Sequence, residues 1–541
     1  MSVQPDPSHS SAAGEVGPAD PEHDPTASYA LDPAYARALT SRVVATTGET
    51  VATYTPLTGQ PLAMIPQSSP EDVKEAFTRA RRAQRAWAQT SLEHRSALLL
   101  RLHDLVVDRQ DEILDLICWE SGKARKHAFD EPMHIALTAR YYARTAHEHL
   151  DTERKLGVVP VLTRVEVNHV PKGVVGIISP WNYPFTMALC DGLPALLAGN
   201  AVVTKPDAQT MLSALLGAQL IEEAGFPKDL WNVVAGPGRE LGSPIIEGAD
   251  YICFTGSTAT GKLIAAQCAD RLIGCSLELG GKNPLLVLRD ADLDRAAEGA
   301  VRASFSNAGQ LCVSMERMFV ADQIYDRFRE KFVARTQAMS LRPGIEWGSD
   351  MGSLISQDQL DTVTAHVQDA VAKGATVLAG GRARPDLGPY FYEPTILEGV
   401  TPAMTCFGSE TFGPVISLYR FHDEADAVSR ANAGEYGLNA SIYSRDTDRA
   451  RILARQVKCG TVNINEAFGA TFASIDSPMG GMRESGMGRR QGTEGIRRYT
   501  ESQSVAVQRL LRFAPMFGMK DETYAKVMTV NLRLMKKLGR A

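Results

Sequence analysis

Cysteine is scarce in this 541-residue chain, and the eight present, at 118, 190, 253, 268, 275, 312, 406 and 459, show neither CxxC spacing nor a pairing pattern. This argues against a disulfide framework or a zinc site, so no metal is expected, and it suits a reducing cytoplasm. Long apolar runs are missing too: none reaches the ~18 residues of a membrane span. The N-terminus has no charged-then-apolar signal pattern. Neither sign of charge dominates, with 57 Lys and Arg against 63 Asp and Glu, a net charge of −6. No electrostatic footprint for nucleic acid results. Hydrophobic and charged fractions of 44% and 22% are those of an ordinary globular protein. The length calls for two or three domains.

The residues that are present sort into segments. Residues 1–35, rich in Pro, Asp, Ser and Ala, read as a disordered tail. Ser69, Pro70, Glu71 and Asp72 form a helix start. Val73, Phe77, Ala80, Ala83 and Trp87 then mark one helical face. A second helical region spans roughly 92–119. From Gly173, short apolar runs (174–178, 201–204, 231–234, 251–254 and 285–288) alternate with helical patterns at 186–198 and 211–224. Such alternation predicts βαβ units around buried parallel sheets. Runs at 415–418 and 461–464 continue the style, so two α/β domains are expected. After Ser504, Tyr524, Val527, Met528, Leu534, Met535 and Leu538 recur at helical spacing beside Arg533, Lys536, Lys537 and Arg540. This amphipathic tail suits either weak contact with a membrane surface or packing on a neighbouring subunit, and packing is favoured.

Two short segments carry chemistry. Glu278-Leu279-Gly280-Gly281-Lys282-Asn283-Pro284 supplies a carboxylate beside flexible backbone, and Phe305-Ser306-Asn307-Ala308-Gly309-Gln310-Leu311-Cys312 supplies a thiol. A thiol with a separate base is the equipment for chemistry through a covalent thioester. The Asn-Ala-Gly-Gln stretch before Cys312 suits an exposed loop, whereas the other seven cysteines read as small core residues. The pair Gly280-Gly281 lets backbone pass close to a ligand. Gly256-Ser-Thr-Ala-Thr-Gly261-Lys262 matches most of a nucleotide-triphosphate loop, but Leu263 stands where that loop needs a hydroxyl for magnesium, which excludes an NTPase.

With Pro180-Trp181-Asn182-Tyr183-Pro184, Lys205-Pro206, Phe254-Thr255-Gly256-Ser257, Glu410-Thr411-Phe412-Gly413-Pro414 and Pro478-Met479-Gly480-Gly481, these motifs resemble the NAD(P)-dependent aldehyde dehydrogenase superfamily over residues 40–505. Within it, the pattern is most similar to actinobacterial proteins called succinate-semialdehyde dehydrogenases. The resemblance implies two Rossmann-type α/β domains plus a small β oligomerisation arm. The cofactor-binding domain would take 36–152 and 173–280, the catalytic domain 281–480, the arm 153–172 and 497–508, and the terminal tail 509–541. A homodimer or homotetramer is implied.

The resemblance also assigns roles. Cys312 is the nucleophile, Asn182 donates to the oxyanion, and Glu278 activates the water that hydrolyses the thioester. Lys205 and Glu410 take the cofactor's ribose hydroxyls, and Gly256 and Ser257 lie against its pyrophosphate. Ser179, Pro180, Trp181, Asp207, Gly238 and Phe412 complete the cofactor site; Gly236-Pro237-Gly238 is by itself only a fragment of a dinucleotide fingerprint. The third residue after Lys205 is Ala208, where NAD-preferring relatives carry Glu, so NADP is the expected cofactor with NAD as the alternative. The implied reaction is oxidation of an aldehyde, succinate semialdehyde first, to its acid. The positions where better-studied enzymes of this name carry arginine are Cys190 and Ser306, and a second cysteine near the nucleophile is replaced by Ser314. Either another Arg or hydroxyls near Ser474 hold the carboxylate, or the substrate is the alternative, an uncharged aliphatic or aromatic aldehyde. A CoA-acylating enzyme and a non-catalytic protein are disfavoured by the joint presence of Glu278, Cys312 and Asn182.

Overall fold

The computed structural model describes residues 30–158, 163–509, 512–537 and 539. Most of the expected disordered tail, residues 1–29, lies outside them. Its end does not fit the expectation: Pro33–Thr40 is a helix, capped by the Asp32 carboxylate, which accepts from the Ala34 N–H at 2.9 Å.

Two largely parallel sheets organise the chain, each with its own hydrophobic core. The first has the strand order Gly486–Met487, Gly274–Glu278, Tyr251–Thr255, Val174–Ile178, Ala201–Lys205, Trp231–Val233, antiparallel only at Gly486–Met487. The second runs Thr376–Ala379, Thr395–Glu398, Val415–Phe421, Met315–Ala321, Asn283–Val287, Asn439–Tyr443, Thr461–Ile464, antiparallel only at its first pair. Only residues 279–282 separate Glu278, which ends a strand of the first sheet, from Asn283, which begins one of the second. That short bridge brings the two sheets together at the residues with chemistry.

Local signals in the sequence explain most elements. Helix Pro70–Trp87 begins with a capping box: Ser69 Oγ accepts from Asp72 N–H, and Asp72 accepts from Ser69 N–H at 2.8 Å. Val73, Phe77, Ala80 and Trp87 are buried, and Ala83 is half-buried. The helical region expected over roughly 92–119 consists of two helices, Leu92–Asp108 and Gln110–Ser121, separated at Arg109, which leaves helical geometry. The expected helix over 186–198 is likewise split into Pro184–Leu189 and Gly192–Leu197. Pro194 has no N–H to join a longer helix, and Gly192 packs so close to Trp231 that a Cβ would lie 2.3 Å from the indole. The break leaves Asp191 buried beside the first sheet.

A third sheet pairs Thr163–Pro171 with Thr500–Gln508 on one side and Glu153–Lys155 on the other, all antiparallel. Residues 501–508 are exposed along its edge strand. Helix Asp521–Lys537 forms where the amphipathic tail predicts one and buries none of its residues; Leu538 and Arg540 lie outside the described residues. Among the described residues no helix is long and apolar enough to cross a membrane, and no cluster of His, Cys, Asp and Glu could hold a metal.

Candidate active site

The loop before Cys312 is not exposed. Every residue from 303 to 321 is buried except Cys312, which is half-buried. Asn307, Ala308 and Gly309 all have positive φ, at 51°, 53° and 72°, a run that only strong side-chain anchoring sustains. Asn307 Nδ2 donates to the Asn182 and Gln310 carbonyls at 3.0 and 3.1 Å, and Asn307 N–H to His127 Nδ1 at 3.2 Å. Gln310 Oε1 accepts from Ile355 N–H at 3.0 Å. These amides occupy a polar niche inside the protein, which is why a polar sequence proved to be interior. The loop is thereby fixed with its thiol as the one accessible group.

Glu278 is buried at the end of its strand, and its Oε1 has no hydrogen-bond partner within the protein. Burial pushes its carboxyl up to about 7, and the Arg490 guanidinium is the main opposing influence. Burial, then the Glu278 and Glu410 carboxylates, push the Cys312 thiol up to about 12. The glycines between them permit contacts that no side chain would. A Cβ on Gly281 would lie 2.8 Å from the Cys312 carbonyl, and one on Gly280 would lie 2.4 Å from Glu410 Oε2. Glu410 accepts from Gly281 N–H at 2.7 Å, while burial pushes its carboxyl up to about 8.

Of the residues singled out from the sequence, Pro180, Trp181, Asn182, Gly256, Ser257, Glu278, Cys312, Glu410 and Phe412 line one cavity of about 230 Å³. Asn182 Nδ2 donates to the Gln310 carbonyl at 3.1 Å, and Asn182 Oδ1 is buried without a partner. Trp181 and Phe412 meet edge to face at 5.5 Å. Ser179, Lys205, Asp207, Ala208 and Gly238 do not line this cavity. They lie at the carboxyl ends of adjacent strands of the first sheet, where Ser179 N–H donates to the Lys205 carbonyl at 3.2 Å. Lys205 Nζ donates to the Pro206 carbonyl at 3.0 Å, and Asp207 Oδ1 accepts from Gln209 N–H at 3.0 Å. Gly238 opens helix Gly238–Gly248, and Ser257 caps helix Thr258–Asp270. This edge has the features that hold a dinucleotide: helix N-termini, a lysine, a cavity-facing carboxylate, and buried oxygens on Ser179, Asn182 and Glu278 left without partners.

Sequence reasoning missed His134, Met187, Arg490 and Gln491, all in the cavity wall. His134 stacks on Phe472 at 4.3 Å, and burial holds its ring at about 3, so it is neutral. Arg490 is bound by Asp191 in the helix break, at 2.9 Å through Nε and 2.7 Å through Nη2. No local pattern marks these residues, because they reach the cavity from three separate parts of the chain, Arg490 and Gln491 together.

The sequence profile described as the aldehyde dehydrogenase family matches residues 43–505. A provisionally named succinate-semialdehyde dehydrogenase [NADP(+)] of Mycolicibacterium smegmatis is 51% identical over 89% of this chain and 93% of its own. A 3-sulfolactaldehyde dehydrogenase of Pseudomonas putida is 38% identical over 86% of this chain and 95% of its own. Among solved structures, an NADP dependent enzyme of E. coli superposes with a TM-score of 0.83 at 35% identity, covering 86% of this chain and 96% of that one.

Proposed function

The chain belongs to the aldehyde dehydrogenase family, and from that membership we propose that it oxidises succinate semialdehyde to succinate with NADP+. The observation that carries the reading is the meeting of Cys312, Glu278 and Asn182 in one small, largely apolar cavity. The named substrates of the Mycolicibacterium and Pseudomonas relatives are both aldehydes with an anionic group, which supports an anionic aldehyde here.

The residues divide the work as follows. Burial and two facing carboxylates keep the Cys312 thiol protonated. It therefore needs a base, and Glu278, about half ionised near pH 7, faces the same cavity. Sulfur adds to the aldehyde carbon, its proton passes to Glu278, and the carbonyl oxygen becomes an oxyanion. Asn182 Nδ2 spends one N–H on Gln310 and directs the other at that oxyanion, a contribution of a few kcal/mol in related sites. A nicotinamide dinucleotide, when bound, would supply the hydride acceptor for oxidation of this Cys312 adduct to a thioester. Glu278 gives that first proton up to solvent and then takes another from water as hydroxide adds to the thioester carbon; the C–S bond breaks, the proton passes from Glu278 to the Cys312 sulfur, and the acid departs.

Lys205, Glu410, Ser257 and Gly238 would hold the cofactor, with Ser179, Pro180, Trp181 and Phe412 around it. Ala208 offers no carboxylate to repel a 2′-phosphate, and the Asp207 Oδ1 is spent on its own loop. Both points support NADP. The exposed edge of Thr500–Gln508 supports assembly of a homodimer or homotetramer through the third sheet. Eight unpaired thiols support a reducing, cytoplasmic location.

The test is initial rates of NADPH and NADH formation over an aldehyde panel, with intact protein and Cys312→Ala. Cys312-dependent NADPH formation that peaks with succinate semialdehyde is expected. A peak with uncharged aldehydes would replace the substrate, and activity surviving Cys312→Ala would sink the covalent route.

A further inference from the structure

We propose that Arg490 determines the substrate class of this cavity: its Nη1 edge receives the far carboxylate of the aldehyde. The inference rests on the succinate-semialdehyde reading above. An aldehyde acid of four carbons places its reacting carbon and its carboxylate at opposite ends of a short chain. The cation that recognises it must therefore stand in the same small space as the thiol. Of the described residues lining the Cys312 cavity, Arg490 is the one lysine or arginine, and His134 is neutral.

The guanidinium is fixed in place with donors to spare. Nε and Nη2 are bound to Asp191, and Nη2 also donates to Thr255 Oγ1 at 3.0 Å. Nη1 has only the Met187 thioether, at 3.5 Å, a weak acceptor. The backbone is held as well: Arg490 N–H donates to the Met479 carbonyl at 2.6 Å, and the Arg490 carbonyl accepts from Met479 N–H at 2.7 Å. A planar fork whose other nitrogens are already engaged loses little freedom when a carboxylate arrives.

Charge points the same way. Asp191 is shared between Arg490 and Arg498, the latter at 2.6 Å, so the two cations have one hydrogen-bonded carboxylate between them, and Glu278, about half ionised near pH 7, is the other carboxylate acting on Arg490. Buried charges are ordinarily paired, and an anionic substrate entering from the cavity would complete this pairing. Glu278 feels the same guanidinium but makes no hydrogen bond to it, and its Oε1 is without a partner. Another group of cations, Lys126, Arg295, Arg302 and Arg335, lines a larger hollow of about 710 Å³ that does not include Cys312. Lys126 and Arg302 there already pair with Asp350 and Glu466.

The test compares kcat/KM for succinate semialdehyde with that for butanal, which has the same chain length and no carboxylate. Any effect of Arg490 on Cys312 or Glu278 acts on both aldehydes and cancels in the ratio. Arg490→Gln is expected to lower the ratio about 100-fold, mainly through KM for the acid. Arg490→Lys should recover part of it, and Arg302→Gln should leave it alone. Met187→Glu keeps the Asp191, Arg490 and Arg498 cluster, offers Nη1 a resident carboxylate, and should lower the ratio as well. A preference that survives in folded Arg490→Gln, or in Met187→Glu should that chain not fold, overturns the proposal. So does loss of the preference in Arg302→Gln. An intact enzyme that never prefers succinate semialdehyde to butanal sinks the substrate reading and the carboxylate site with it; a preference untouched by these variants sinks the carboxylate site alone.

Discussion

Asp191 and Arg490 stand 299 positions apart in the chain and meet in a two-pronged ion pair inside the cavity wall. Arg498 binds the same carboxylate; Asp191 and Arg490 are buried and Arg498 is half-buried. Burial alone would raise the Asp191 carboxyl, but the two guanidiniums outweigh it and hold it at about 2. Removing the anion strands one buried and one half-buried cation. Asp191→Ala should therefore lose ~3–5 kcal/mol of stability in denaturant unfolding. A variant as stable as the parent would show that the cluster is already solvated.

Glu278 should govern the pH dependence of turnover. Its carboxyl is pushed by burial to about 7 from a model-compound value of 4.5. Single-turnover release of acid should rise as pH passes through about 7 and level off above it. Stability follows the opposite course. The native state holds this proton more tightly than the unfolded chain, so the stabilisation is full below the unfolded pKa and is lost as pH rises through the native one. Glu278→Gln should then be more stable than the parent by ~3 kcal/mol in alkaline buffer, with the gap closing in acid. A pH-independent gap would mean that the carboxyl is not buried as described.

Cys312 should be a slow thiol without its substrates. Its ionisation is suppressed by burial and by the Glu278 and Glu410 carboxylates. Alkylation by iodoacetamide, followed by mass spectrometry of the Cys312 peptide, should accelerate about tenfold per pH unit above neutrality. Arg490→Gln removes a cation that favours the thiolate and should slow it further. Rapid, pH-independent labelling at pH 7 would point to a thiolate and a different activation.

Cofactor choice should be movable at one position. Ala208→Glu places a carboxylate where the adenosine ribose is expected, and the kcat/KM ratio for NADPH over NADH formation should fall by about 10-fold or more. An unchanged ratio would assign the selectivity to Asp207 or to a residue outside this loop.

Much of the architecture was legible because its causes are local. Ser69, Pro70 and Asp72 announce a helix start by the hydrogen bonds they can make, and the apolar run at 174–178 became the strand Val174–Ile178 without revision. The motif around Glu278 was readable for the same reason: paired glycines permit a close approach, and the close approach is there, against Glu410 and the Cys312 carbonyl. The polar loop 306–311 misled because Asn307 and Gln310 satisfy interior carbonyls rather than water, a choice that depends on partners such as Asn182 and Ile355 far along the chain.

The sequence by itself determined the order of helices and strands, the presence of a thiol and a carboxylate in suitable settings, and the absence of an acidic residue at Ala208. These follow from side-chain chemistry and spacing over a few residues. Only the tertiary structure decided which groups share a cavity and what charge fills it. A search for a cation near Asn182 finds Cys190 in the sequence. The fold instead brings Arg490 to that wall, because a broken helix buries Asp191 and a buried carboxylate must find its counter-ion wherever the chain can supply one.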